Sequence, residues 1–421
     1  DEPLDLTASP LSQAEEFLRK RAAKVDAGKR AEAEENYEAA AIARREAAGL
    51  IEQYYGADSW HLRTAQAACA RSDRLAAMNA ADRQRYASLR ELRARRDTAW
   101  SAAKFAEAIE FARQCAAHSE ALWGAHIETA GDCNRWGQML VMGGDFQTAE
   151  TVLAHCMKLR QEHLGNENPE TITTMTVLAE VMREAGRVES GAPLLREAAE
   201  LGRKTWNNEG AELAAVLLAW GRCAAQLEQT EEAVQALLES SSLYRELPAE
   251  YRGRYGEAMH ELGRTRKRGA EYRQAWEAFI AAHEAWSEVF GEEDPRTLAV
   301  ATELGAMELA LGMNAEAEAR FTHVAEARFR LKGADHPEYA ASLHDVAVAL
   351  GNQGKYTAAE PLLREALAIQ EAHFGPEHAV VAETLETQAA LFEAVNRPEE
   401  ARAAAHKART IRTRGNSFEG R

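Results

Sequence analysis

The sequence is poor in proline and has no long hydrophobic run. Only 10 of its 421 residues are proline, while Ala, Glu, Arg and Leu dominate, a composition that favours helix. No apolar run approaches the length of about 18 residues that a membrane-spanning helix needs, so we expect no insertion into a membrane. With 46% apolar residues, the chain has enough hydrophobic material for a folded core.

Cysteine is scarce, and basic residues are fewer than acidic ones. The five cysteines are an odd number without a Cys-x-x-Cys pair, which excludes a disulfide framework and indicates buried, inert thiols. They are Cys69, Cys115, Cys133, Cys156 and Cys223. The formal net charge of −17 works against non-specific binding to nucleic acid, so no nucleic-acid partner is expected.

Motifs of catalysis and metal binding are missing. The sequence has no His-Glu-x-x-His, no Gly-x-Ser-x-Gly and no EF-hand loop. His336 and His378 are separated by one period of the repeat described below, so the repeat explains them better than a metal site does. Gly351–Lys355 resembles a phosphate-binding loop only weakly, because Tyr356 stands where Ser or Thr is needed. We therefore expect no enzyme, no cofactor and no bound metal.

A repeat with a period of about 42 residues runs through most of the chain. Gly291, Gly333 and Gly375 are equally spaced by this period, Gly165 lies three periods before Gly291, and Gly124 lies one position short of a full period before Gly165. The same phase falls on Asn207 and Ala249, where the glycine is missing. Such a period is typical of solenoid architectures built from stacked units.

Each period contains two apolar faces with helical spacing. In one unit, Leu343, Val346, Ala347 and Leu350 form the first face, and residues from Tyr356 to Ile369 form the second. Small residues recur twelve positions apart in the two helices, where the helices must approach each other closely. In the first helix they are Gly137, Ala179, Gly221, Gly263, Gly305, Ala347 and Ala389.

This pattern resembles the tetratricopeptide repeat, in the longer form found in kinesin light chains and in many bacterial proteins. The resemblance rests on Gly-x-x-His-Pro, Leu-Ala/Gly, Gly-x-Tyr/Phe-x-x-Ala and Ala-Leu-x-Ile, which Gly333 to Ile369 matches almost throughout. It implies an all-α, superhelical α-α solenoid of about nine tetratricopeptide-like helix pairs. It also implies that the first helices line a concave groove that receives ligands.

The chain divides by regularity into four segments. We expect an N-terminal arm over residues 1–10, atypical helical repeats over 11–123 with an inserted helix around 59–87, regular repeats over 124–414, and a flexible tail over 415–421. Asp1 fits either a mature start after signal cleavage or the boundary of a fragment. The sequence therefore leaves both cytoplasmic and exported locations open.

The candidate binding residues are polar positions of the first helices next to the core-facing positions. Residues 252–273 hold seven basic side chains and three acidic ones within an acidic protein, which suggests a site for an acidic peptide or a terminal carboxylate. The alternative is an ordinary solvated face. The candidates are Asn134, Gln138, Arg222, His260, Arg264, Lys267, Arg268, His344 and Asn352.

The function implied by the resemblance is a non-enzymatic scaffold that binds a peptide or protein partner in the groove. Two alternatives stay open. One is a structural role, in which terminal repeats stack into a filament or homo-oligomer by self-association. The other is a regulatory segment of a larger multidomain protein.

Overall fold

The computed structural model describes residues 10–416 of the chain. The predicted arm over residues 1–10 and the predicted tail over residues 415–421 lie outside these residues except at their inner ends, where Pro10, Gly415 and Asn416 belong to helices. Within the described range there are nineteen α-helices, one short 3-10 helix and no β-strand. The prediction of an all-α repeat fold is confirmed.

The helices fall into two compact units, Asp1–Gln229 and Thr230–Arg421. The first unit holds α1 (Pro10–Ala33), α2 (Tyr37–Tyr55), α3 (Trp60–Ala76), α4 (Ala80–Ser101), α5 (Phe105–Trp123), α6 (Ile127–Met142), α7 (Phe146–Leu164), α8 (Pro169–Glu184), α9 (Val188–Thr205) and α10 (Ala211–Gln226). The second holds α11 (Thr230–Glu246), α12 (Arg252–Arg268), α13 (Tyr272–Phe290), α14 (Pro295–Ala310), α15 (Asn314–Lys332), α16 (Pro337–Asn352), α17 (Tyr356–Phe374), α18 (Ala379–Ala394) and α19 (Pro398–Asn416). The four-segment division predicted from the sequence stays a prediction.

The periodic loop motif begins and ends helices. Gly291 and Gly333 follow the second helices α13 and α15 with φ values of 90° and 91°, a conformation that glycine adopts without strain. Three residues after Gly291, the Asp294 side chain accepts a hydrogen bond from the Arg296 backbone N–H at 2.9 Å, and Pro295 occupies the first turn of α14. Where the phase falls on Ala249, a 3-10 helix forms the connection instead.

The recurring small residues allow the two helices of a pair to pack closely. A Cβ atom on Gly263 would lie 2.7 Å from the Phe279 ring, and one on Gly305 would lie 2.6 Å from the Phe321 ring. Both rings are buried, so in these two pairs a large side chain of the second helix lies over a glycine of the first. This packing holds the first helices in a repeated orientation.

Helix α3 stands between the first helix pair and the next one, and it lies against the ends of two second helices. Arg74 donates hydrogen bonds to the carbonyl oxygens of Leu122 and Trp123 at 2.7 and 2.9 Å, at the end of α5. Arg63 donates to the carbonyl of Leu164 at 3.0 Å, at the end of α7. The last carbonyls of a helix lack helical partners, so the arginines of α3 satisfy them.

Candidate functional site

First helices follow one another within each unit and form a face there. In the first unit, α6 contacts α8 and α8 contacts α10. In the second unit, Lys267 of α12 binds Glu303 of α14 at 2.6 Å, and α16 contacts α18. We call the side chains that these helices direct away from their second helices the first-helix face of that unit.

Three of the predicted binding residues lie in the first unit. Asn134 and Gln138 are one helical turn apart on α6, and Arg222 lies on α10. All three side chains are half-buried. The structure thus brings the first two together on one helix, and their role in binding stays a prediction.

The basic residues predicted to bind lie close together on α12 in the second unit. Arg264 and Arg268 are exposed, and the Arg264 side chain reaches its nearest carboxylate, Glu261, only at 4.0 Å. Lys267 lies beside them and pairs with Glu303. His260 differs, since its ring lies 5.2 Å from the Trp286 ring of α13 and therefore packs toward the second helix.

His344 and Asn352 lie on α16. The His344 Nε2 atom is 2.9 Å from the Thr387 hydroxyl of α18, so this ring links two successive first helices. Asn352 is exposed at the last residue of α16. Of these two residues, Asn352 has the side chain more accessible to a ligand.

The histidines of the repeat loops have a structural role. His336 and His378 precede α16 and α18, and the Nδ1 atom of each accepts a backbone N–H, at 3.2 and 3.3 Å respectively. His126 caps α6 in the same way at 3.2 Å. The repeat motif therefore uses histidine as a helix cap. Among residues 10–416, no three His, Cys, Asp or Glu side chains are grouped so that they could hold a metal ion.

The buried cysteines are chemically quiet. Burial raises the pKa of the Cys133 thiol to about 12, and that of Cys115 and Cys223 to about 11. These thiols stay protonated at neutral pH, whereas a nucleophilic cysteine must be a thiolate. All five cysteines are free.

One surface feature was missed by the sequence analysis. A groove of about 540 Å³ lies between α15, α16 and α17, with Tyr339, Leu343 and Leu362 in its lining and Phe329 at its edge, 48% exposed. The signal in the sequence was Phe329, an aromatic residue at an outward position of a second helix. Because exposed single hydrophobic residues are common on proteins, this signal is weak without the structure.

A group of paired charged side chains in the first unit was also missed. Arg93 of α4 contacts Asp132 at 2.6 Å and Glu128 at 3.2 Å, both on α6, and Arg71 of α3 contacts Glu128 at 2.8 Å. Asp132 is only 3% exposed. The cluster ties the additional helix α3 to the helix pairs that follow, which is a structural role.

Comparison with known proteins identifies the class of the fold. A tetratricopeptide repeat family model matches residues 340–379, which include most of α16 and all of α17. No curated protein sequence matches the chain. None of the helices within residues 10–416 has the length and hydrophobicity to cross a membrane.

Solved structures of similar fold cover much of the chain. The apo form of RapI has a TM-score of 0.55 at 12% identity, and the match covers 78% of this chain and 98% of that one. A putative kinesin light chain from Podosopora anserina with nearly identical TPR-like repeats has a TM-score of 0.45 at 25% identity, covering 49% of this chain and 98% of that one. BtubC (BKLC) from P. vanneervenii has a TM-score of 0.43 at 18% identity, covering 58% and 92%.

Residues 340–379 therefore match the tetratricopeptide repeat, and the described residues form an all-α repeat fold. Arrays of this fold are generally protein-interaction scaffolds and typically not enzymes.

Proposed function

We propose that the chain is a non-enzymatic scaffold that binds a peptide or protein segment on its first-helix faces, with an acidic part of the ligand on α12. The observation that carries the proposal is the exposure of Arg264. Its side chain is 52% exposed, and its nearest carboxylate, 4.0 Å away, is too distant for a strong hydrogen bond. Its guanidinium is therefore available for a bidentate contact with a ligand carboxylate.

The surrounding side chains favour an outward orientation of the Arg264 side chain. Leu262 and Gly263 of α12 are buried on the side that packs against α13, so Arg264 has no part in the core. The basic side chains of α12 also create a local positive field in a protein of net charge −17. Such a field attracts acidic segments over distances of about 8 Å at physiological salt.

The proposal is tested by selecting peptides from a random display library of short segments on the purified chain. We expect the selected peptides to be rich in Asp and Glu, and Arg264→Glu to weaken their binding about tenfold, which corresponds to about 1.4 kcal/mol. The matched control is Arg364→Glu on the second helix α17, where an arginine with 72% exposure pairs with Glu360 within its own helix.

Several results of this experiment would contradict the proposal. Selected peptides that bind Arg264→Glu as tightly as the original chain, or that lose binding only in the Arg364→Glu control, would place the site away from the first-helix face. An absence of any enriched peptide would contradict peptide binding itself. Circular dichroism of each variant verifies that the helices are intact.

A further inference from the structure

The charge of the first helices in the second unit changes in one direction along the repeat. Helix α12 carries six basic and two acidic residues, and α14 carries one basic and two acidic. Helix α16 has two acidic residues and α18 has three, and neither contains Lys or Arg. The net charge of the first helices therefore runs from basic to acidic over four helices.

The accessible side chains at its two ends carry this polarity. Arg264 and Arg268 are exposed on α12, whereas Glu383 and Glu393 are exposed on α18. Glu393 forms no ion pair with any described residue, whereas Glu383 lies near enough to Arg412 of α19 for an electrostatic attraction. Glu386 contributes less to the acidic end, because Arg412 of α19 binds it through two hydrogen bonds.

The later first helices are uncharged at the position of Arg264, where α18 has Ala390. Ala306 of α14 and Val348 of α16 stand where α12 has Arg264, and both are half-buried. Glu303 and His344 lie beside them and are bound to Lys267 and Thr387 of neighbouring first helices. The positions of Ala306 and Val348 thus offer apolar contact, while Asp345 of α16 keeps an acidic side chain in the middle of the array.

The distance between the ends sets the length of a matching ligand. Packed helices lie about 10 Å apart, so three steps from α12 to α18 span about 30 Å. An extended peptide covers about 3.3 Å per residue, so about nine residues reach from one end to the other.

Resting on the proposed function, we infer that the first-helix face of the second unit binds a peptide segment of mixed charge in one direction. The acidic residues of the segment lie on α12, its small apolar residues lie over α14 and α16, and its basic residues lie on α18. A segment in the opposite direction would place like charges against both ends, which costs binding energy at each. The polarity of the face therefore determines the direction of the ligand as well as its composition.

The test uses a synthetic peptide of about eleven residues with an acidic end, an Ala and Leu middle and a basic end, long enough to span the face. A second peptide has the same composition with the charges alternating. We expect the first to bind at least about tenfold more tightly by fluorescence anisotropy at low salt. A photoreactive group at its acidic end should crosslink to α12, and the same group at its basic end should crosslink to α18.

Reversal of both ends tests the direction. At the basic end, Arg264→Glu is combined with Lys267→Glu and Glu303→Lys. The last two changes keep the ion pair between α12 and α14 with its charges exchanged. At the acidic end, Glu383→Lys is combined with Glu393→Lys. Either set alone should weaken binding of the peptide about tenfold, and the two together should restore binding with the crosslinks exchanged.

Three results would overturn the inference. One is equal affinity for the two peptides, and another is crosslinking that does not depend on which end carries the photoreactive group. The third is a combined variant in which the crosslinks are not exchanged. Peptides from the display library that need Arg264 but have no charge asymmetry would leave the proposed function standing and reject only the polarity. If the library yields no peptide that depends on Arg264, the proposed function fails as well.

Discussion

Two successive groups of three helices in the second unit fill the same three positions with different chemistry. In α13–α15 the positions hold His283, Glu308 and Arg320, which we call the polar cluster. The residues one period later, in α15–α17, are Ala325, Leu350 and Leu362, which we call the apolar cluster. The backbone accommodates both, so the repeat requires filled volume and satisfied polar groups at these positions and no particular residue.

The polar cluster depends on its pairing. Glu308 is 1% exposed, and Arg320 donates hydrogen bonds to its two carboxylate oxygens at 2.7 and 2.9 Å. A buried carboxylate is stable as a charge only with such a partner. In the apolar cluster, Leu350 is buried and Leu362 lines the groove between α15, α16 and α17.

The largest effect is expected when the pair in the polar cluster is broken. Arg320→Leu leaves the buried Glu308 carboxylate without its cation, and we expect the free energy of unfolding to fall by about 3 kcal/mol. The double variant Glu308→Leu with Arg320→Leu copies the apolar cluster and should be as stable as the original chain or more so. Urea unfolding measures both.

The comparison would be wrong if the double variant were as unstable as Arg320→Leu alone. Leucine would then be unsuited to these positions in α14 and α15, and the two clusters would not be interchangeable. A single variant with unchanged stability would show that water reaches Glu308 and that its pairing contributes little.

A second difference between the same two groups of helices concerns the size of the packed residues. Gly305 of α14 lies under Phe321, whereas Ala347 of α16 stands at the equivalent position and Leu363 replaces the phenylalanine. Gly305→Ala should lower the free energy of unfolding by about 1–3 kcal/mol, because its Cβ would lie 2.6 Å from the buried ring. Adding Phe321→Leu, which copies the next pair, should recover much of this loss.

The matched control for that substitution is Gly351→Ala. This glycine also lies in a helix, α16, and a Cβ there would meet nothing within 4 Å. Because alanine favours helix over glycine, we expect a gain of up to about 1 kcal/mol. Equal losses from Gly305→Ala and Gly351→Ala in urea unfolding would show that the close approach of α14 and α15 is not what requires glycine.

The smallest effect should come from pH. Burial lowers the pKa of His283 below its usual value; Glu292 opposes this shift and Arg320 adds to it. The unfolded chain therefore takes up a proton at this site at higher pH than the folded chain does. The stability that the neutral His283 contributes is fully present above the unfolded pKa of about 6.5. It is lost as pH falls through the lower folded pKa.

His283→Ala, which copies the apolar cluster, should make the stability less dependent on pH between about pH 7 and 5. The measurement is urea unfolding of both chains across that range. Since burial also lowers the pKa of His61 and His126, some dependence should persist in the variant. An unchanged slope would mean that His283 is protonated equally in the folded and unfolded chains.

Much of the fold could be predicted, because the signals are local. Gly291 and Gly333, the apolar spacing around Leu343 and Leu350, and the small residues at 263 and 305 are all properties of short segments. Each repeat contacts mainly its neighbours, so local patterns carry over directly into the fold. The confirmed prediction of an all-α repeat fold follows from this.

The candidate site was less accessible to prediction, because it depends on where a side chain points after packing. His260 and Arg264 lie four residues apart on α12, yet the first packs near the Trp286 ring and the second is exposed. Spacing alone gives both residues the same helical stripe. The binding role of the whole predicted set stays a prediction.

The sequence by itself determined the period, the helix boundaries marked by glycine and proline, and the acidic character of the chain, because these follow from backbone conformation and composition. The tertiary structure decided which charges are paired and which are exposed. Glu308 and Glu393 are both glutamates of first helices, but Arg320 neutralises one inside the core and the other is exposed on the face. Only contacts between separate helices create that difference, and the polarity of the first-helix face depends on it.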